Sequence, residues 1–173
     1  MVADAIHITN VSGTTATGTI ALHDATTLNF SVPNGQDLYF EFPSGTIGGP
    51  VTISSSQPVL ASLRAWYYQS FNETAARSAT AAATTQYFAW YDLASPGMRA
   101  DTIHITNVSG STATGTIALG ASTIPFSVPN GQDLYFTFAL GSIGGPVTIS
   151  SDHPVLASLR AWFYQSFNEV PGY

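Results

Sequence analysis

One segment of 25 residues occurs twice in this chain with few changes. GPVTISSSQPVLASLRAWYYQSFNE ends at Glu73, and GPVTISSDHPVLASLRAWFYQSFNE ends at Glu169. The similarity extends toward the N-terminus, where Ile6–Gly13 returns 97 positions later as Ile103–Gly110. A repeat of about 97 residues predicts that one structural unit is present twice.

One part of the repeat is present only once. The segment TQYFAWYDLASPG at 85–97 has no second copy, because the chain reaches Tyr173 soon after the second SFNE. Two units therefore share one YFAWYDL segment. The sequence predicts a first repeat over 1–73 that lacks one strand, a linker over 74–84 and a second repeat over 85–173. The linker is Ala- and Thr-rich, and this composition favours an extended segment over a short helix.

Apolar residues within each unit alternate with polar ones, and turn signals follow every eight to twelve residues. Ile6 and Ile8 flank His7, and Leu38 and Phe40 flank Tyr39. Asn34-Gly35 and Gly48-Gly49-Pro50 are typical of turns. Seven short strands per unit, with no helical spacing, predict an all-β fold of two tandem immunoglobulin-like β-sandwich repeats.

A sandwich that lacks one strand exposes unpaired backbone groups and an apolar groove. One hypothesis is that a strand from another molecule fills this gap, as in polymerised pilins, with the terminal SFNEVPGY segment as the donor. The other is that the chain is a fragment of a longer array. Both interpretations fit the pattern.

Charge and composition exclude several function classes. Only 8% of residues are charged, the net charge is −6, and the basic residues are four scattered Arg. Nucleic acid and anionic membrane surfaces are therefore not expected partners, and no apolar run is long enough to span a bilayer. Cysteine is absent. Met1–Asp4 lacks the pattern of a signal peptide, so a secreted origin would require processing upstream.

The repeated runs resemble a known family. ITNVSGTTATGTIAL, FSVPNGQDLYF and GGPVTISSSQPVLASLRAWYYQSFNE are similar to repeat units of bacterial cell-surface proteins, some of them attached to cell-wall amidases. YFAWYDL fits the opening of such a unit, and the resemblance covers nearly the whole chain except Thr74–Thr85. It implies an extracellular β-sandwich for display, adhesion or wall attachment, without catalytic residues. His153 in place of Gln57 and the missing strand are departures from the pattern.

Arg64 and Arg160 lie in LASLRAW, in phase with Leu60 and Trp66 on alternate strand positions. A structural bond to backbone carbonyls, or to an acid such as Asp37 or Glu73, is favoured over a clamp for a ligand carboxylate or sugar. A structural role is likewise predicted for Trp66 and for Trp162 in the second unit.

Aromatic side chains offer a second type of site. Trp66, Tyr68 and Trp90 could stack on sugar rings, although core packing is the favoured interpretation. Four triplets match the N-glycosylation acceptor pattern and make glycosylation a further expectation. They begin at Asn10, Asn29, Asn72 and Asn107.

Reactive or metal-binding constellations are not predicted. His7 and His104 each follow an Asp by three positions, but residues i and i+3 of a strand point to opposite faces. The sequence contains no Gly-x-Ser-x-Gly, no His-Glu-x-x-His and no phosphate loop leading into a helix. We therefore expect neither an enzyme nor a protein with a metal or cofactor.

These features together favour an extracellular or cell-surface structural protein. The expected function is that of a filament or stalk subunit, assembled head to tail with copies of itself by strand complementation. The alternative is a module that binds carbohydrate or cell-wall polysaccharide.

Overall fold

The computed structural model describes residues 3–22, 26–67 and 70–173. The chain divides into two compact units, Met1–Ala76 and Arg77–Tyr173. Nearly all of the regular structure is β-strand, and the only helical element in the described ranges is a 3₁₀ turn at Ala79–Ala81. The prediction of an all-β fold is confirmed, and its physical basis is the period-two alternation of apolar and polar residues.

Unit 1 arranges its described strands in two sheets, with strand orders β4-β1-β6-β7 and β3-β2-β5. All neighbouring strands are antiparallel. The strands are β1 Ala3–Thr9, β2 Ala16–Leu22, β3 Thr26–Val32, β4 Asp37–Glu41, β5 Val51–Ser55, β6 Leu60–Tyr67 and β7 Ser70–Ala75.

Unit 2 repeats these strand pairings, but its strands form one seven-stranded sheet and one two-stranded sheet. The counterparts of β5 and β6 are joined in one long strand, β15, and two additional strands, β8 and β9, precede the repeated part. The first part of β15 pairs with β11 and β8, and its last part pairs with β10 and β16. The strands are β8 Ala83–Phe88, β9 Tyr91–Asp92, β10 Met98–Asn107, β11 Ala113–Leu119, β12 Ser122–Val128, β13 Asp133–Phe136, β14 Ile143–Gly144, β15 Val147–Phe163 and β16 Ser166–Pro171.

Each unit has its own apolar core, and the same repeat positions contribute to both cores. Strands of both sheets of unit 1, and of the seven-stranded sheet of unit 2, supply these side chains at alternate positions. The shared buried residues of unit 1 are Ile6, Ile8, Ile20, Phe30 and Val32, and their counterparts in unit 2 are Ile103, Ile105, Ile117, Phe126 and Val128.

The structure differs from the sequence-based description in two segments. The SFNE segments, which were not predicted as strands, form β7 and β16 along the edges of β6 and β15. Only the two ends of the segment predicted as a linker over 74–84 lie in strands, because β7 extends to Ala75 and β8 begins at Ala83. Between them, the Ser78 hydroxyl accepts a hydrogen bond from the Thr80 N–H and caps the 3₁₀ turn.

Within the described part of the chain, no helix has the length and apolar character needed to cross a membrane.

Candidate functional site

The YFAWYDL segment lies in unit 2 and adds a strand to it. β8 runs antiparallel to the first part of β15, with Phe88 opposite Val147 and Gln86 opposite Ile149. The side chains of Gln86 and Phe88 are buried, and the Gln86 amide donates a 2.7 Å hydrogen bond to the Val155 carbonyl. β8 therefore supplies both backbone pairing and core side chains.

Tyr91 and Leu93 extend this closure beyond β8. Tyr91 has no exposed surface, and its ring packs edge-on against Phe138 with the centroids 5.1 Å apart. Its hydroxyl accepts a 2.9 Å hydrogen bond from the Phe138 N–H. Burial raises the pKa of the Tyr91 phenol to about 12, so the hydroxyl remains neutral. The Leu93 backbone donates to the Ser142 carbonyl and accepts from the Gly141 N–H.

The corresponding strand position is open in unit 1. β5 pairs with β2 along one edge, and no strand within residues 3–22, 26–67 and 70–173 pairs with its other edge. Val51 and Ile53 of β5 are only half-buried, whereas their counterparts Val147 and Ile149 have no exposed surface. Folded proteins usually cover or blunt an unpaired edge of this kind. We call this edge of β5, together with the cavity next to Phe42, the open strand position.

This cavity has a volume of about 240 Å³ and a mostly apolar lining that includes Leu22 of β2, Leu28 of β3 and Phe40 of β4. Phe42 and Thr46 also line it, and they are the repeat counterparts of the residues that contact Tyr91 and Leu93 in unit 2. The Phe42 N–H, with no tyrosine hydroxyl beside it, donates to the Asp4 carbonyl at 3.2 Å. The cavity thus corresponds to the place that Tyr91 fills in unit 2.

Two equivalent glycines show the same difference between a covered edge in unit 2 and an open edge in unit 1. A β-carbon at Gly145 would overlap the carbonyl of Ala89, because the backbone between β8 and β9 passes directly over this glycine. A β-carbon at the equivalent Gly49 would meet no atom within 4 Å. Gly145 therefore permits close backbone approach in unit 2, and Gly49 preserves the same space in unit 1.

Asp101 lies where the added segment meets β10. It is 3% exposed, and its Oδ2 accepts a 2.6 Å hydrogen bond from the Asp92 N–H. Burial raises the pKa of Asp101 to about 6; the bond from Asp92 opposes this rise and the charge of Asp92 adds to it. Unit 2 thus contains a carboxyl group that is destabilising in its charged form.

The C-terminal segment SFNEVPGY, proposed from sequence as a donor strand, is already paired within its own unit. Ser166–Pro171 forms β16 along β15, and the backbone groups of Tyr173 exchange hydrogen bonds with those of Tyr87. Releasing this segment would break both sets of bonds. The structure therefore contradicts its assignment as a free donor.

The predicted structural arginines each form an ion pair. Arg64 donates from Nε and Nη2 to Glu73 Oε2, at 3.1 and 2.6 Å, and the Ser62 hydroxyl donates to the other oxygen. The arrangement recurs in unit 2, where Arg160 donates to Glu169 at 2.9 and 2.6 Å. Both arginines therefore have a carboxylate partner on the neighbouring strand, and a ligand would have to compete with it.

We expect Arg160→Ala to destabilise unit 2 by about 2–3 kcal/mol, because it leaves the Glu169 carboxylate, 14% exposed, without its cation. Burial alone would raise the pKa of Glu169, but Arg160 and Ser158 outweigh it and lower that pKa. The stabilisation is thus present near neutral pH and is lost as pH falls through the lowered pKa. Urea unfolding at pH 7 and at pH 3 measures both effects, and an equal loss at the two pH values would contradict this account. Arg64→Ala is the matched control with a smaller expected loss, since Glu73 is more exposed.

His7 and His104 have acidic partners that the sequence did not reveal. His7 Nδ1 lies 3.0 Å from Asp37 Oδ2 on the adjacent strand, and His104 lies 2.9 Å from Asp133. Sequence reasoning considered only the acids three positions earlier, and the order of the strands would have been needed to find these. No group of three or more His, Cys, Asp and Glu residues suited to a metal ion occurs in the described ranges.

The predicted sugar-stacking residues lie in separate units or outside the described ranges. Tyr68 lies outside the described residues, and Trp66, 37% exposed, belongs to unit 1. Trp90 is 57% exposed and lies next to Gly145 in unit 2. Trp162 is far along β15 from that point and packs against Phe167 with the centroids 6.0 Å apart. Trp90 is thus one of several exposed aromatic residues of unit 2, and Tyr87 and Tyr135 are among the others.

Two of the four predicted glycosylation sites are wrong. Asn10 is fully buried, and its amide donates to the carbonyls of Thr14 and Val32. Asn107 is fully buried in the same arrangement. A glycan on either nitrogen would break these bonds and would not fit. Asn29 is exposed on β3, and Asn72 is half-buried on β7.

Comparison of the chain with protein-family models, with curated proteins and with solved structures gave no match.

Proposed function

We propose that this chain is an extracellular structural protein built from immunoglobulin-like β-sandwich repeats, and that it is a subunit of a surface filament or stalk. Subunits join head to tail when the open strand position of unit 1 receives a strand from its neighbour. The observation that carries this proposal is the contrast between two near-identical units, since the described strands of unit 2 include the added strand β8 and those of unit 1 include no equivalent.

The chemistry of the described side chains supports a structural role over a catalytic one. The charged groups that recur in both units are used in pairs between adjacent strands, such as Arg160 with Glu169 and His104 with Asp133. Tyr91 and Gln86, the buried polar groups of the added segment, bond to backbone atoms of unit 2. These groups stabilise the fold and hold the added strand, which suits a load-bearing module.

Electron microscopy of native material tests the proposal. We expect fibres with a regular axial repeat, because each subunit presents one acceptor that needs a strand. Introducing Gly49→Ala should prevent fibre formation while the subunits remain folded, since that β-carbon occupies the space of the incoming backbone. Isolated particles in native material, or fibres unaffected by Gly49→Ala, would count against strand-mediated assembly.

A second candidate function is binding of cell-wall or other polysaccharide, and the exposed ring of Trp90 favours it. Binding of purified peptidoglycan or polysaccharide that disappears in Trp90→Ala but persists in Trp66→Ala would support a site on unit 2. Equal binding by all three proteins would exclude Trp90 as the contact.

A further inference from the structure

We infer that the occupant of the open strand position is an extended segment with the residue pattern of Ala83–Leu93, supplied by a neighbouring polypeptide and held in the register that β8 and β9 adopt in unit 2. This inference rests on the proposed function and adds to it the sequence and register of the incoming strand.

The first argument is that the two acceptors share their edge-strand sequence and a phenylalanine of the cavity. The edge strands read VTISS in both units, with Val51 and Ile53 at the positions of Val147 and Ile149. The cavity residue Phe42 corresponds to Phe138, which contacts Tyr91 in unit 2. Because the edge strand and this phenylalanine are the same in both units, the strand that fits one should fit the other. The rest of the cavity lining is not identical, since Glu41, Pro43 and Thr46 stand where unit 2 has Thr137, Ala139 and Ser142.

The second argument is the detailed chemistry of the segment that fills unit 2. Two of its side chains, at the Gln86 and Phe88 positions, point into the unit, and its tyrosine fills an apolar cavity and accepts a backbone hydrogen bond. Unit 1 has a place for such a tyrosine ring and a donor for its hydroxyl. The place is the cavity of about 240 Å³, and the donor is the Phe42 N–H, which forms a 3.2 Å hydrogen bond with the Asp4 carbonyl. A tyrosine hydroxyl arriving there would take over that N–H.

The third argument is stoichiometry. The chain has two acceptor positions and one YFAWYDL segment, which is already paired in unit 2. If the segment of one copy paired with unit 1 of another copy, it would leave the β15 edge of its own unit 2 unpaired. The number of unpaired strand positions would therefore not change. The SFNEVPGY segment is also paired. Filling unit 1 without opening unit 2 therefore requires that the neighbouring subunit carry a second segment of this pattern in addition to its own paired one.

The two acceptors also differ where the end of the repeat meets the added strand. Gly172 lies against the Gln86 side chain in unit 2, and its counterpart in unit 1 is Ala76. A β-carbon at Gly172 would come 2.6 Å from Gln86 Oε1, which is the far end of a flexible side chain. The incoming strand is thus accommodated by a small shift at this position, and a residue shorter than glutamine would fit unit 1 without the shift.

The test uses the full chain and the synthetic peptide ATTQYFAWYDL with blocked ends, titrated by calorimetry. We expect one peptide bound per chain, a higher melting temperature of unit 1 and no change in unit 2. A peptide with alanine at the Tyr91 position should bind roughly 100-fold more weakly, because it leaves the cavity empty. A scrambled peptide should not bind.

Gly49→Ala is the matched protein variant. It should abolish peptide binding without lowering the melting temperature of unit 1, because its β-carbon meets open space in the free protein. Thr27→Ala, exposed on β3 at the opposite edge of the same sheet, should bind as the unmodified chain does. Absence of binding, binding of two peptides per chain, or binding unaffected by Gly49→Ala would overturn the inference.

The outcomes separate this inference from the proposed function. Native fibres together with a peptide that does not bind would leave head-to-tail assembly in place and reject this strand as the occupant. Peptide binding without native fibres would support the acceptor and reject the filament.

Discussion

Tyr91→Ala is expected to destabilise unit 2 by about 3–5 kcal/mol, as for other large buried aromatic residues. The substitution removes a ring with no exposed surface, its edge-on contact with Phe138 and the acceptor of the Phe138 N–H. Urea unfolding followed by tryptophan fluorescence in a Trp66→Phe variant measures the effect on unit 2 alone. The remaining tryptophans, Trp90 and Trp162, both lie in that unit.

Two matched variants divide this loss into its parts. Tyr91→Phe keeps the ring and removes only the hydroxyl, so we expect a loss of about 1–2 kcal/mol. Tyr87→Ala, at an exposed position of β8, should change stability by less than about 1 kcal/mol. If Tyr91→Ala cost no more than Tyr87→Ala, the added segment would not be part of the core of unit 2.

Asp101→Asn is expected to stabilise unit 2 by about 2–3 kcal/mol at pH 7. The pKa of Asp101 rises from an ordinary 3.8 to about 6 on folding, so the folded unit binds a proton more tightly than the unfolded chain. Stability therefore increases as pH falls from about 6 to 4, and the full penalty of the charged form is present above pH 6. Asparagine removes the charge and keeps an oxygen to accept the Asp92 N–H.

The pH dependence provides the control for this prediction. The difference in unfolding free energy between Asp101→Asn and the unmodified chain should be largest at pH 7 and should shrink toward zero near pH 4. A constant difference across this range, or destabilisation at pH 7, would show that Asp101 is not a buried carboxyl group with a raised pKa.

Much of the fold follows from the sequence because it depends on local alternation. Ile6 and Ile8, and the turn at Asn34-Gly35, predict strands and turns that the structure contains. The single occurrence of YFAWYDL predicts that one unit has a strand that the other lacks, and only unit 2 has β8 in the described ranges.

The remaining features depend on which strands are neighbours, and residue order does not state this. The Asp37 partner of His7 lies 30 residues away on β4, and no spacing rule relates the two. The SFNE segments are short and polar, and their pairing with β6 and β15 comes from the hairpin geometry. The sequence did not predict the burial of Asn10 and Asn107, because a triplet that matches the glycosylation pattern can also form a turn. In both units the Asn Oδ1 accepts a hydrogen bond from the backbone N–H of the Ser two positions later.

Amide hydrogen exchange over Val51–Ser55 and Val147–Ser151 in the same sample tests the open strand position most directly. The two segments have the same sequence, VTISS, and differ in whether a strand covers their outer edge. We predict that the β5 amides that point away from β2 exchange much faster than their counterparts in β15, and that the ATTQYFAWYDL peptide slows them. Equal protection of the two segments in the free chain would contradict the account.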